Sequence, residues 1–442
     1  MNADLEKQVT GKIFWRLLPL LIFLYIVSYL DRVNVGFAAL TMNADVGLST
    51  SVFGWGAGLF FIGYCLFEVP SNLMMVKVGA RRWIARILFT WGLIATCMAL
   101  VEGPRSFLAL RFLLGVAEAG FFPAVILYLT LWFPARYRAR IISTFMLSIP
   151  ISLAVGAPVS TMLLELDGAL GLKGWQWLYI IEGIPGILLV GVVLKYLPDS
   201  PAQARWLDDA QRAWLASELA NDLKVNPPAL DGQQSLWKVL RSPAILVLCA
   251  MYFCVAATNL GLSMFLPQIV KLQGYSGMAI GFVSAIPYVV GCIGMVVIGW
   301  LSDRYNRRRT FLIIALLFIA GGLGLAGWMP GNYLAIIGMC AATIGMMGFK
   351  GPFWPLPSLY LSGTSAAAGI AMINSVGNLG GFFGPGLVGM AKDRTGNFES
   401  GLYLLAGLAI LALGLTLLLV KDRPAAPQAV RASGLAPQSS GE

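Results

Sequence analysis

The chain has 442 residues, of which 58% are hydrophobic and 12% are charged, whereas soluble proteins carry about 25% charged residues. This composition excludes a set of soluble domains, because apolar runs of the ~20 residues that cross a lipid bilayer recur along the whole chain. A formal charge of +10 is also typical of nucleic-acid-binding proteins, so the positions of the basic residues have to decide between the two explanations.

Twelve apolar runs are predicted to be transmembrane helices. In lipid, a helix satisfies all its own backbone groups, whereas barrel strands would be about half as long and would alternate in polarity. The predicted spans are 13–39, 52–76, 83–101, 107–132, 141–163, 175–197, 243–270, 277–301, 310–329, 333–361, 366–391 and 399–420.

Basic residues crowd into the loops on one side of these spans, around Arg81, Arg138 and Arg308, and are sparse on the other side. By the positive-inside rule, the crowded side is cytoplasmic and holds both termini. We therefore expect an integral protein of the plasma membrane, the inner membrane in a bacterium, with no nucleic-acid partner. The first span is too long for the apolar region of a signal peptide and contains Asp31 and Arg32, so we expect it to be retained.

A polar stretch at residues 198–242 divides the spans into two groups of six and is predicted to be a cytoplasmic linker with a short helix from Asp208 to Leu223. The predicted fold is all-α, with two pseudo-symmetric six-helix bundles at residues 1–197 and 243–421. The tail, 422–442, is rich in Pro, Ala, Ser and Gly, so we expect it to be disordered.

Charged side chains inside a membrane cost at least ~2.5 kcal/mol each, so they are the first candidates for function. Asp31 and Glu118 are predicted near mid-membrane, where secondary transporters place their substrate and coupling-ion sites. Arg111 precedes Glu118 by seven residues, which puts both on one helix face. A permanent ion-pair cluster with Arg32 is the alternative. Glu68 and Glu182 lie near prolines toward helix ends, which favours a structural role.

Lys350 lies in a Gly- and Pro-rich stretch, 348–355, that is predicted to break the tenth helix. The residue is a candidate contact for an anion, and snorkelling or pairing with a carboxylate is the alternative. Asn374 and Asn378 share one face of the eleventh helix and are candidates for binding substrate or for bonding a neighbouring helix. Tyr29, Tyr64 and Trp354 are weaker candidates, because aromatic residues more often pack.

The chain contains no histidine, and its six cysteines lie inside apolar spans without the spacing of metal ligands. No metal site, cofactor or enzymatic activity is therefore expected. If protons drive transport, carboxylates must bind them.

The loop at 299–308 resembles the conserved loop of the major facilitator superfamily, with Asn306 in place of its second glycine and with Asp303, Arg304 and Arg307 at its charged positions. A degraded copy at 72–81 has Val76 in place of the aspartate. We therefore expect Asp303, Arg304 and Arg307 to form the gating loop, with a charge-based latch to a neighbouring helix end only around Asp303. Further segments resemble the anion:cation symporter family of that superfamily; they are 29–38, 67–73, 79–83, 111–123, 132–140 and 373–381.

Members of this family are mostly proton-coupled importers of organic anions, and the chain looks most like the tartrate-type permeases. The resemblance implies that Asp31 and Glu118 bind the coupling protons, that Arg32 binds the substrate carboxylate, and that Arg111 is their electrostatic partner. It also places Tyr29, Tyr64 and Asn378 in a polar cavity. The expected partners are a small organic anion, a proton and the bilayer, and the expected oligomeric state is a monomer.

Other functions are not excluded by the residues. The cargo can be a sugar acid or an aromatic carboxylate such as phthalate. A proton-coupled drug exporter of the same superfamily is a further alternative, with a weak glycine-proline signal at 156–158, although basic groups inside the bundle favour an anionic cargo. A sensor that binds a ligand without transporting it is the alternative from another class.

Overall fold

The computed structural model describes residues 3–225, 242–357 and 363–419, which are almost entirely helical. In chain order the described helices are α1 Ala3–Asp45, α2 Thr50–Val78, α3 Ala80–Cys97, α4 Pro104–Glu118, α5 Phe121–Trp132, α6 Ala135–Met146, α7 Ser148–Leu164, α8 Gly174–Tyr196, α9 Asp209–Val225, α10 Pro243–Leu272, α11 Met278–Tyr305, α12 Arg308–Trp328, α13 Tyr333–Gly348, α14 Lys350–Phe353, α15 Gly363–Thr395 and α16 Glu399–Leu419. The predicted tail, 422–442, lies outside the described residues.

Eleven membrane-crossing segments within the described ranges are long and apolar enough to span a bilayer, and the chain is an integral membrane protein. The remaining predicted span corresponds to α15, a continuous helix of 33 residues whose sequence contains several glycines and two asparagines. The first helix, at 43 residues, is longer than the predicted 13–39; at 1.5 Å per residue it measures about 65 Å and extends well beyond the hydrocarbon core.

The fourth predicted span, 107–132, is not continuous: α4 ends at Glu118 and α5 begins at Phe121. Gly120 has a left-handed backbone with φ +84°, and Pro123 has no N–H to donate to the carbonyl of Ala119. A carboxylate therefore lies at a helix break inside the membrane. Sequence periodicity missed this break, because a single proline near a glycine is tolerated in many membrane helices.

The predicted break in the tenth span is present, since α13 ends at Gly348 and the short α14 begins at Lys350. Residues 358–361 of that predicted span lie outside the described residues. The fifth span is likewise divided, into α6 and α7 at Leu147, three residues before Pro150.

Helices from the first and second groups of six pack against one another in specific pairs: α2 against α15, α7 against α11, and α1 against α10. Glycines allow this close approach. A Cβ on Gly58 would lie 2.5 Å from the carbonyl oxygen of Phe382, and a Cβ on Gly281 would lie 2.7 Å from that of Ala157. These contacts lie toward the ends of the helices that are opposite the basic loops at 79 and 306, an end we call the outer end.

On the basic side, the linker helix α9, close to the predicted 208–223, contacts the first bundle. Arg136 pairs with Glu218 at 3.1 Å, and the backbone N–H of Ala135 donates to the Asp222 carboxylate at 2.6 Å. Lys12, in the extension of α1, donates to Gln211 at 3.0 Å. The linker helix thus attaches to the same bundle that precedes it in the chain.

The loop that resembles the superfamily motif is exposed. Asn306 ends α11 in a left-handed conformation, φ 50°, which asparagine tolerates better than most residues. Asp303 makes no ion pair with any described residue, Arg304 stacks on Trp300 at 4.9 Å, and Arg307 precedes α12. Within the described ranges, no ion pair joins Asp303 to a neighbouring helix.

Candidate functional site

The centre of the site is an ion pair between the first and fourth spans. The guanidinium of Arg32 donates from Nη2 to Glu118 Oε1 at 2.6 Å, and the hydroxyl of Ser28 donates to the same oxygen at 2.7 Å. Glu118 is 1% exposed and the Arg32 side chain is 13% exposed. The other carboxylate oxygen of Glu118 is buried without a donor among the described residues.

Three aromatic rings surround the Arg32 guanidinium. Its central carbon lies 5.4 Å from the ring centre of Tyr29 and 5.2 Å from those of Phe60 and Tyr64. Cation–π attraction stabilises the charge where water is scarce, and the rings restrict the direction in which the guanidinium can move. Tyr29 and Tyr64 were predicted as cavity residues, whereas Phe60 and Ser28 carry no charge and were missed.

Arg111, the predicted electrostatic partner of Glu118, is more deeply buried than Arg32. The residue is fully buried and donates from Nη2 to the backbone carbonyl of Ala57 at 3.0 Å. Arg111 forms no ion pair with any described carboxylate, and Glu118 pairs with Arg32 instead. Arg111 is close enough to Asp31 and Glu118 to act on them through space.

Asp31 faces a second group of polar residues, on the side of α1 that packs against α7 and α8. The amide nitrogen of Asn34 donates to Asp31 Oδ1 at 3.1 Å and to Glu182 Oε2 at 2.8 Å, and Ser160 donates to Glu182 Oε1 at 2.9 Å. Sequence reasoning assigned Glu182 a structural role because of Pro185. The useful signal was that it is an acidic residue in an otherwise apolar span.

In the second bundle, Lys350 is half-buried at the start of α14. Its only described contact is between Nζ and the sulfur of Met347 at 3.9 Å, so within the described ranges it has no carboxylate partner. Trp354 lies edge-on to Tyr252, with ring centres 5.0 Å apart. Tyr252, a residue that no sequence pattern singled out, also packs on the backbone of Gly377.

Asn374 and Asn378 are half-buried on α15 and donate no hydrogen bond to any described side chain or backbone group. An amide that is not used between helices is available to a ligand. The structure therefore leaves these two side chains without the interhelical bonds that were the alternative to substrate binding.

The site combines carboxylates with guanidinium groups and has no cluster of metal ligands among the described residues. Among residues 3–225, 242–357 and 363–419, no group of three or more Cys, Asp or Glu side chains could hold a metal ion. Of the predicted substrate-binding cations, Arg32 is 13% exposed and Lys350 is half-buried, whereas Glu118 is 1% exposed. An anion that binds Arg32 would compete with Glu118, and protonation of Glu118 would release the guanidinium.

The chain is similar in sequence to known membrane transporters. The family model described as Major Facilitator Superfamily matches residues 21–385. A protein of Agrobacterium vitis named "Putative tartrate transporter" is 47% identical over 424 residues, covering 96% of this chain and 97% of its own. A protein of Acinetobacter baumannii named "Quinolone resistance transporter" is 44% identical over 414 residues, covering 93% and 95%.

Among solved structures, the bacterial homologue of the human lysosomal transporter Spinster, in an inward-facing and unoccupied conformation, superposes with a TM-score of 0.76. It covers 97% of this chain and 100% of that chain at 17% identity, a likeness that supports the fold alone. The all-α membrane fold and the predicted superfamily are thus confirmed, and the expectation of a non-enzyme is confirmed by the family. The chain belongs to the Major Facilitator Superfamily and is a membrane transporter.

Proposed function

We propose that this protein is a proton-coupled importer of a small organic anion, with a tartrate-like dicarboxylate as the best candidate. The observation that carries the proposal is the Arg32–Glu118 pair, in which a substrate-binding cation is held by a carboxylate that can be neutralised by a proton. The name of the Agrobacterium vitis relative supports the substrate class.

The mechanism follows from competition for Arg32. With Glu118 ionised, the guanidinium is engaged and a second carboxylate gains little from it. When Glu118 binds a proton, Arg32 is free to form the two parallel hydrogen bonds that guanidinium makes with a carboxylate. Protonation and anion binding therefore favour each other, which is the requirement for symport.

Lys350 supplies the second charge for a dianion. Lys350 belongs to the other bundle and has no acidic partner among the described residues, and Asn374 and Asn378 carry amides suited to hydroxyl groups. A dicarboxylate with hydroxyl groups, such as tartrate, would use one cation from each bundle and the amides of α15. Binding across the two bundles would favour their closure around the substrate.

The orientation belongs to this proposal as well. The basic loops lie at the end of the bundles opposite the outer end. By the positive-inside rule, that end and both termini are in the cytoplasm. The bacterial inner membrane is the expected location. The bundle contacts described above lie at the outer end, so this conformation would open toward the cytoplasm.

A proton-coupled exporter is the second candidate, and the Acinetobacter baumannii relative named for quinolone resistance favours it. The two candidates share the acidic and basic groups but predict opposite fluxes. Arg32 and Lys350 as accessible cations are better suited to a dicarboxylate than to a bulky drug.

The test is uptake of radiolabelled tartrate, aldonates and phthalate into proteoliposomes, with and without an inward proton gradient. Accumulation of one acid that depends on the gradient would establish the proposal and identify the cargo. Absence of accumulation of every acid, together with proton-driven extrusion of a quinolone from preloaded vesicles, would establish the exporter instead.

A further inference from the structure

The contacts of Asn34 point to a proton-binding site separate from the substrate-binding pair. We propose that Asp31 and Glu182 share one exchangeable proton across the amide of Asn34, forming a buried proton site between α1, α7 and α8. The proposal deepens the proposed function, on which it rests for its role in transport, and it adds Glu182 to the residues that bind the coupling ion.

The geometry of the site is that of a bridged carboxylate pair. One amide nitrogen has two hydrogens, and Asn34 directs one to Asp31 at 3.1 Å and the other to Glu182 at 2.8 Å. Asp31 and Asn34 are each 1% exposed and Glu182 is 6% exposed, so water does not solvate either carboxylate. Two carboxylates in one dry site do not both ionise readily, because each disfavours the charge of the other.

The buried charged groups around the pair are not balanced. Asp31, Glu118 and Glu182 are buried carboxylates, Arg111 is a buried guanidinium and Arg32 is 13% exposed; the half-buried Glu68 of α2 is outside this set of five. With every group ionised the set would carry one net negative charge away from water. A single bound proton makes it neutral, which removes a large desolvation cost.

Glu118 is engaged differently in this conformation. One of its carboxylate oxygens accepts hydrogen bonds from the Arg32 guanidinium and from the Ser28 hydroxyl. The pair at Asn34 receives only neutral donors, the amide and the Ser160 hydroxyl. Asp31 Oδ2 is buried without a donor among the described residues, and a proton there would convert it into a donor.

The groups that face the pair from neighbouring helices do not supply a competing partner. Arg111 of α4 acts on Asp31 through space, but its described hydrogen bond goes to Ala57. Tyr179, one turn before Glu182, directs its hydroxyl to the sulfur of Met42 at 3.8 Å. Thr96 of α3 donates to the carbonyl of Gly92 at 2.8 Å. No described cation contacts Glu182.

The direct test is infrared difference spectroscopy of the purified protein between acidic and alkaline pH, which reports the carbonyl stretch of protonated carboxyl groups and requires no substrate. We expect Glu182→Gln and Asp31→Asn to abolish the same band, because the two groups share one proton. Glu68→Gln, which changes another membrane carboxylate, is the matched control and should keep that band. Loss of different bands by the two variants, or no loss with Glu182→Gln, would overturn the proposal.

Ser160→Ala keeps every charge and serves if Glu182→Gln fails to fold. Because its hydroxyl donates to Glu182, removing it should shift the frequency of the shared band; an unshifted band contradicts a proton held at this pair.

The role in transport is measured separately, as protons moved per tartrate with a pH-sensitive dye inside proteoliposomes. The wild type is measured first, and its failure to move protons with tartrate would refute the proposed function while leaving the infrared result valid. If the wild type is coupled, Glu182→Gln should move one fewer proton per tartrate and retain tartrate exchange without a gradient. An unchanged ratio in that variant would overturn the role of the pair in coupling.

Discussion

Arg32 and Glu118 form an ion pair of 2.6 Å that joins the middle of α1 to the last residue of α4, directly before the helix break at Ala119 and Gly120. The pair links a cation suited to a substrate carboxylate to an acid that can bind a proton.

Replacing Arg32 by lysine should weaken tartrate binding by at least about tenfold, equivalent to about 1.4 kcal/mol. Lysine keeps the charge but cannot form two parallel hydrogen bonds with a carboxylate. Binding is measured by the protection tartrate gives against thermal unfolding. The control is Lys195→Gln, an exposed cation at the end of α8. Equal affinities of Arg32→Lys and wild type would show that Arg32 does not contact the substrate.

Glu118→Gln should abolish accumulation of tartrate driven by a proton gradient while preserving exchange of labelled for unlabelled tartrate. Glutamine resembles the protonated acid, so the carrier would remain in the form that binds substrate but could not release a proton. Glu68→Gln, in a half-buried acid on α2, should affect neither assay. If Glu118→Gln still accumulated tartrate, the assignment of this residue to proton coupling would be wrong.

Lys350→Gln should weaken the binding of dicarboxylates more than that of monocarboxylates. A monocarboxylate uses only the cation at Arg32, whereas a dicarboxylate loses its second charge-assisted contact. The comparison of tartrate with a monocarboxylate of the same size, in competition with labelled tartrate, measures this difference. A uniform loss for both ligands would indicate a structural role for Lys350.

Asp393→Ala should open the outer end of the bundle. Asp393, near the end of α15, accepts a hydrogen bond from the backbone N–H of Ser51 at 2.8 Å and so caps α2 across the interface between the bundles. We expect spin labels on the exposed Ala44 and Arg394 to report a longer and broader distance distribution than in the otherwise unchanged protein. An identical distribution would mean that the other contacts at this end, the glycine packing and the hydrogen bond from Lys271 to the carbonyl of Leu40, hold it closed without Asp393.

Gly120→Ala should destabilise the protein by about 1–2 kcal/mol, seen as a lower melting temperature in detergent. Its backbone has φ +84°, and a Cβ would lie 2.5 Å from the hydroxyl of Ser71. Gly191→Ala is the matched control, because a Cβ there meets no atom within 4 Å and the residue lies inside α8. Equal melting temperatures of the two variants would contradict the strain assigned to Gly120.

Much of the architecture follows from the sequence by itself. Long apolar runs allow no other spanning structure than helices, and the basic loops distinguish one side from the other. Asp31, Arg32 and Glu118 could be named as candidates because a charge in an apolar run is costly wherever it packs. The break before Lys350 was also predictable from local sequence, because glycine and proline weaken a helix through their own backbone, whatever packs around them.

Only the tertiary structure decided which charges meet. The spacing of Arg111 and Glu118 placed them on one helix face, yet Arg32, from another helix, forms the pair with Glu118 and Arg111 turns to Ala57. Glu182 and Asn34 are 148 residues apart, and no local pattern reveals their contact. Hydrogen bonds depend on distances of a few tenths of an ångström between helices, and these are determined by the packing of the bundle as a whole.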